Sequence, residues 1–101
     1  MTEYIEHMEQ LRERLAEIDD LVSKPDVLRD QKNYRDLMKE RSRISEILDA
    51  FDETQRLCSS MHETEELIQE TKDEELRELA EEELDQLRNQ SALAEERLEA
   101  L

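Results

Sequence analysis

The stretch TEYIEHMEQLRERLAEIDDLV, residues 2–22, decides the fold. Its seam residues are Tyr4, Met8, Leu11, Leu15, Ile18 and Val22, separated by steps of four, three, four, three and four. A helix gathers such positions into one stripe, whereas a strand would scatter them over both faces. The spacing predicts an amphipathic helix zipped along a narrow apolar seam. Thr2 reads as its N-cap. Pro25 stops it, because the residue before a proline is pushed out of helical conformation.

Beyond this stretch, residues 25–29 form a short connection with room for one helical turn. Asp30 can cap a second helix. That helix carries Tyr34, Leu37, Ile44, Leu48 and Phe51, then Thr54, Cys58, Met61 and Ile68. Its seam slips phase near Phe51, where one step of three follows another. Thr71-x-x-Glu74 has the form of a capping box that opens a third helix. The third seam is Leu76, Ala80, Leu84, Leu87, Ser91, Ala94, Leu98 and Leu101.

The expectation is all-α: an elongated antiparallel helical bundle or coiled coil of three main helices. Their bounds are about 2–22, 30–70 and 73–101, with short connections that make neighbours antiparallel, in one domain. The last seam runs to Leu101 without a C-cap signal, so a piece cut from a longer protein is expected.

Composition narrows the function classes. There is no Gly and a single Pro, which nearly excludes folds built on hairpins. Charged residues make up 44% of the chain and aromatics 3%, too few bulky groups for a thick globular core. The net charge of −16 opposes general binding to nucleic acid and to anionic membranes, and favours basic protein surfaces. One cysteine, Cys58, permits no internal disulfide, which fits a cytoplasmic location.

Few residues have the makings of a reactive site. Cys58 and His62 stand at i, i+4 and could join Glu65 or Glu66 around a metal. A seam cysteine beside a surface histidine is the preferred reading, since zinc sites usually need four well-spaced ligands. His7 has no partner nearby in sequence. The acidic run through residues 63–85 offers paired carboxylates, but no cleft to perturb them, and reads as a solvated face. The basic stripe is more informative. Lys32, Arg35, Lys39 and Arg43 fall within roughly 80° of one another on a helix, opposite Tyr34, Leu37, Ile44 and Leu48. Ordinary i, i+4 pairing among surface charges is the plainer reading of this stripe, and a binding patch the sharper one. No catalytic, cofactor or metal residue is assigned, and the chain is read as a binding module and not an enzyme.

Three segments carry a family resemblance: Leu11-Arg12-Glu13-Arg14-Leu15-Ala16-Glu17-Ile18; Lys24-Pro25-Asp26-Val27, followed by Asp30-Gln31-Lys32-Asn33-Tyr34-Arg35-Asp36-Leu37; and Asp73-Glu74-Glu75-Leu76-Arg77-Glu78-Leu79-Ala80. In order and spacing they resemble the N-terminal domain of bacterial class I peptide chain release factors, which implies that the piece is the N-terminal fragment of its longer protein. The Asp-Gln-x-x-Tyr-Arg pattern is most similar to the release factor 1 branch. The resemblance implies a role in terminating translation at UAA and UAG codons. The family's Pro-x-Thr decoding tripeptide and Gly-Gly-Gln hydrolysis motif are absent here, so it implies a domain that neither decodes nor promotes hydrolysis. It also implies contact with the ribosomal stalk base, RNA and protein, and with the class II release factor GTPase. The stripe Lys32, Arg35, Lys39 and Arg43 would then face RNA, and the acidic third helix basic protein. Weak homodimers of the isolated chain are expected, through the seam ends near Leu98 and Leu101 or the long helix beyond Phe51. Composition and heptads alone fit a free-standing coiled-coil adaptor or oligomerisation domain equally well.

Overall fold

The structure, a computed structural model, describes residues 2–101, apart from the side chain of Thr2. The cap assigned to Thr2 therefore lies outside the described residues. The chain is all-α, 91% helical. In order the helices are α1 (Thr2–Leu21), α2 (Pro25–Arg29), α3 (Gln31–Glu70) and α4 (Glu74–Glu99). They form two compact units, Met1–Asp49 and Ala50–Leu101, and α3 contributes to both.

In the first unit, Met8 and Ile18 of α1 are buried, as are Leu37, Ile44 and Leu48 of α3. Leu11, Leu15, Val22 and Tyr34 are half-buried along the same seams. Pro25 does more than stop α1. It opens the short helix α2 at its first turn, where its missing N–H costs nothing and its fixed φ suits the helix. Asp30 then caps α3 as expected: its carboxylate accepts from the Asn33 N–H at 3.2 Å.

Cross-helix ion pairs, Arg14–Glu40 and Arg41–Asp19 among them, tie α1 to α3 in this unit. Arg14 donates from Nε and Nη2 to both Glu40 carboxylate oxygens, at 2.7 and 2.9 Å. Arg41 donates from Nε to Asp19 at 2.6 Å. A forked guanidinium on a carboxylate fixes orientation as well as distance.

The second unit is held by Leu57, Leu87 and Ala94, with Met61 packed against them. Thr64, Ala80, Leu84 and Ser91 are also buried. Thr64 meets its hydroxyl's need within α3, donating to the Ser60 carbonyl at 2.8 Å. Here the expected seam is corrected. Leu57 is 1% exposed, whereas Cys58 is exposed. Past Phe51 the steps of three continue through Thr54 to Leu57, one residue short of the heptad extrapolation. Packing selects the larger and more apolar side chain for the interior.

The turn into α4 also differs from expectation. The N-cap is Asp73 rather than Thr71. Asp73 sits in extended conformation, and its side chain accepts from the N–H groups of Glu75 and Leu76. Thr71 acts one step earlier, its hydroxyl accepting from the Asp73 N–H at 3.2 Å. α3 ends without Gly because Arg77 reaches back to its orphaned carbonyls. It donates to the carbonyl oxygens of Thr71 at 2.7 Å and Ile68 at 3.4 Å. A cation there also suits the negative end of the helix dipole.

These positions predict a contrast between adjacent residues. Leu57→Ala should lower unfolding stability by about 2–4 kcal/mol. Cys58→Ala should change it by less than about 0.5 kcal/mol. Urea denaturation followed by circular dichroism measures both, and equal losses would return Cys58 to the seam.

Candidate functional site

The candidate surface lies on α3 within the first unit. The same helical period that turns Leu37, Ile44 and Leu48 inward turns Lys32, Arg35, Lys39 and Arg43 outward. All four basic side chains are exposed. From Lys32 to Arg43 the stripe extends about 16 Å at 1.5 Å per residue. Among the described residues none of the four forms an ion pair. No i, i+4 ion pair forms among these described side chains.

The neighbouring basic residues behave differently. Arg29 pairs with Asp26 at 4.0 Å, Arg41 with Asp19 at 2.6 Å, and Arg14 with both Glu17 and Glu40. Of the carboxylates around the stripe, Asp26, Asp19, Glu17 and Glu40 are thus taken by other arginines, while Asp36 interrupts the stripe itself. Hydrogen bonds from Arg14 hold the Glu40 carboxyl below its ordinary range, against a smaller opposing effect of burial, and the charge of Arg43 adds to the lowering. Glu40 in turn raises the Arg14 guanidinium above its already high value. Both stay charged, and the Glu40 charge is directed into Arg14 across the helix pair.

The remaining candidates are not brought together. Cys58 is a free, exposed thiol. His62 places Nε2 at 3.0 Å from Glu66 on the exposed face. Among the described residues no three His, Cys, Asp or Glu side chains stand where they could hold a metal ion. His7 is exposed. The acidic residues of the 63–85 run are exposed, and Glu74 and Asp85 pair locally with Arg77 and Arg88.

Sequence reasoning missed one feature. In the second unit an open hollow of about 250 Å³ is lined by Glu53, Arg56, Leu57, Gln90, Leu93 and Arg97. Arg56 forks onto Glu53 at 2.6 and 3.0 Å and holds its carboxyl below the ordinary range, helped by the charge of Arg97. The i, i+3 spacing of Glu53 and Arg56 was the available signal for the pair. Nothing in sequence spacing announces the approach of Arg97.

Fold and surface together define a class: a charged, all-α helical domain whose two units are each closed by one narrow seam. The chain belongs to the PCRF domain family, whose model matches residues 11–101. It is 38% identical over 96 residues to peptide chain release factor 1 of Listeria monocytogenes serotype 4a (strain HCC23), covering 95% of this chain and 27% of that protein. Peptide chain release factor 1 of Lacticaseibacillus casei (strain BL23) is 32% identical over 101 residues, covering 100% of this chain and 28% of the relative. The chain thus spans little more than a quarter of the length of these relatives. No solved structure matches it significantly. Among the described residues no helix is long and apolar enough to cross a membrane.

The Arg14–Glu40 pair generates a pH prediction. Its carboxyl is depressed in the folded state, so the stability it adds is present above the unfolded carboxyl pKa. That stability is lost as pH falls through the lower folded value. Glu40→Gln should be less stable than wild type at neutral pH, and the gap should close on acidification. Urea midpoints measured across the acid range check this, and a gap independent of pH would contradict it.

Proposed function

We propose that this chain is the ribosome-binding, N-terminal helical part of a peptide chain release factor that terminates translation at UAA and UAG codons. The observation that carries the reading is the similarity of 95–100% of the chain to proteins named peptide chain release factor 1. The sequence holds no Gly and so no Gly-Gly-Gln motif. The module accordingly acts by binding rather than catalysis, and decoding and hydrolysis belong to other parts of the longer factor. Its place of action is the cytoplasm, and its net charge of −16 opposes anionic membrane surfaces.

The contact is split by charge. Lys32, Arg35, Lys39 and Arg43, exposed and without ion pairs, meet phosphate of the stalk-base RNA. The acidic first half of α4 meets basic stalk protein, and the class II release factor GTPase is a further partner. The isolated chain also self-associates weakly, a reading supported by the exposure of Leu79 at 63% and Leu93 at 59%.

Charges at the rim of an interface act mainly on association rate and its salt dependence. Lys32→Glu combined with Lys39→Glu in the complete factor should slow ribosome association about three- to tenfold at low salt, with a weaker effect at high salt. Hydrolysis after binding should be unchanged. Stopped-flow association at two ionic strengths measures this, and wild-type rates at both would remove the stripe from the interface.

A further inference from the structure

Carboxylates are spread almost evenly along the chain, with two exceptions. Residues 54–62 and 86–94 are nine-residue runs without Asp or Glu, and no other such run exceeds five residues. Both belong to the second unit, where Leu57 and Met61 of the first run pack with Leu87 and Ala94 of the second. On α4 the acid-free run follows an acid-rich one, since residues 73–85 hold Asp73, Glu74, Glu75, Glu78 and four more carboxylates. The helix therefore has an acidic first half and an acid-free middle before Glu95, Glu96 and Glu99.

α4 carries a second stripe beside the buried one, and its Gln90, Leu93 and Arg97 border the hollow against α3. Glu75, Leu79, Glu82, Gln86, Gln90, Leu93 and Arg97 fall within an arc of roughly 80° at 100° per residue. All seven are exposed, and Leu79 and Leu93 are two of the three most exposed large apolar side chains on α4 and its end. The spacing is symmetric about Gln86. Gln90 and Glu82 stand four residues to either side, Leu93 and Leu79 seven, and Arg97 and Glu75 eleven.

Resting on the self-association proposed above, we infer that this stripe is an isologous interface for a second copy of the chain. Two α4 helices cross antiparallel on a twofold axis at Gln86. Leu79 of each copy packs on Leu93 of the other, Glu75 meets Arg97, Glu82 meets Gln90, and Gln86 meets its own mate. The self-complementarity of a twofold interface requires such a palindrome. Charge selects this register against others. Reflection through position 86 places Glu78, Glu81, Glu82, Glu83 and Asp85 opposite positions 94, 91, 90, 89 and 87, all in the acid-free run. Two strongly acidic chains can thus touch along the middle of α4, residues 78–94, without apposing carboxylates. Among the described residues neither Glu75 nor Arg97 forms an ion pair within the chain, and Arg97, whose charge acts on Glu53 of α3 without a direct pair, can take Glu75 across the axis. Antiparallel helix dipoles add to the attraction. This surface differs from the seam ends at Leu98 and Leu101 expected from sequence, because Leu98 is half-buried in its own unit.

Sedimentation equilibrium of the isolated chain at moderate salt should show a monomer–dimer equilibrium. Leu93→Glu, at an exposed position, should weaken it about tenfold or more while leaving helicity unchanged. Glu75→Arg and Arg97→Glu should each weaken it, and the double exchange should restore it. In a Cys58→Ser background, Gln86→Cys should form a disulfide-linked dimer on mild oxidation. A monomer at every concentration would overturn self-association itself. A dimer indifferent to Leu93→Glu, with no crosslink at position 86, would leave self-association standing and overturn this interface.

Discussion

The scarcity of apolar surface is the constraint on which the structure depends. With 30 acidic and 14 basic residues in 101, each unit has side chains enough for one narrow seam. Ten hydrophobic residues are buried among those described, and only Ile18 and Leu57 are large side chains wholly enclosed. Helices suit this composition because their backbone is satisfied internally, and an interior stripe then needs only one residue per three or four. Ends and edges must be fastened by polar means. Asp30 and Asp73 cap helix starts, Arg77 closes the end of α3, and Arg14 and Arg41 bind α1 to α3.

The same constraint produces the surfaces. A helix that commits one stripe to its seam leaves most of its circumference to solvent, where charge pattern decides what can approach. In the first unit Glu40 and Asp19 are absorbed by Arg14 and Arg41, and the stripe from Lys32 to Arg43 forms no ion pair of its own among the described residues. In the second unit carboxylates crowd the first half of α4 and vanish from the next nine residues.

Much of this was legible in the sequence, because a seam repeats. The buried residues of α1 and α4 were readable from regular steps: Met8 and Ile18, then Ala80, Leu84, Leu87, Ser91 and Ala94. Reading failed where the repeat breaks. After Phe51 two continuations differ by one residue, and only packing against Leu87 and Ala94 favours Leu57 over Cys58. At the α3–α4 turn Thr71 and Asp73 are both good caps, and the backbone conformation at Asp73 decides between them. The basic stripe was visible as a charge pattern. Its lack of ion pairs was not, because the pairings of Glu40 with Arg14 and of Asp19 with Arg41 span 26 and 22 residues.

If each unit rests on its own seam, damage to one seam should stay within that unit. Amide hydrogen exchange along α3 in an Ile18→Ala variant is the most direct measurement. The account predicts a loss of protection concentrated in residues 31–49, with residues 50–70 close to wild type. An even loss along all 40 residues of the helix would contradict it, and would mean that α3 stands or falls as a single cooperative element.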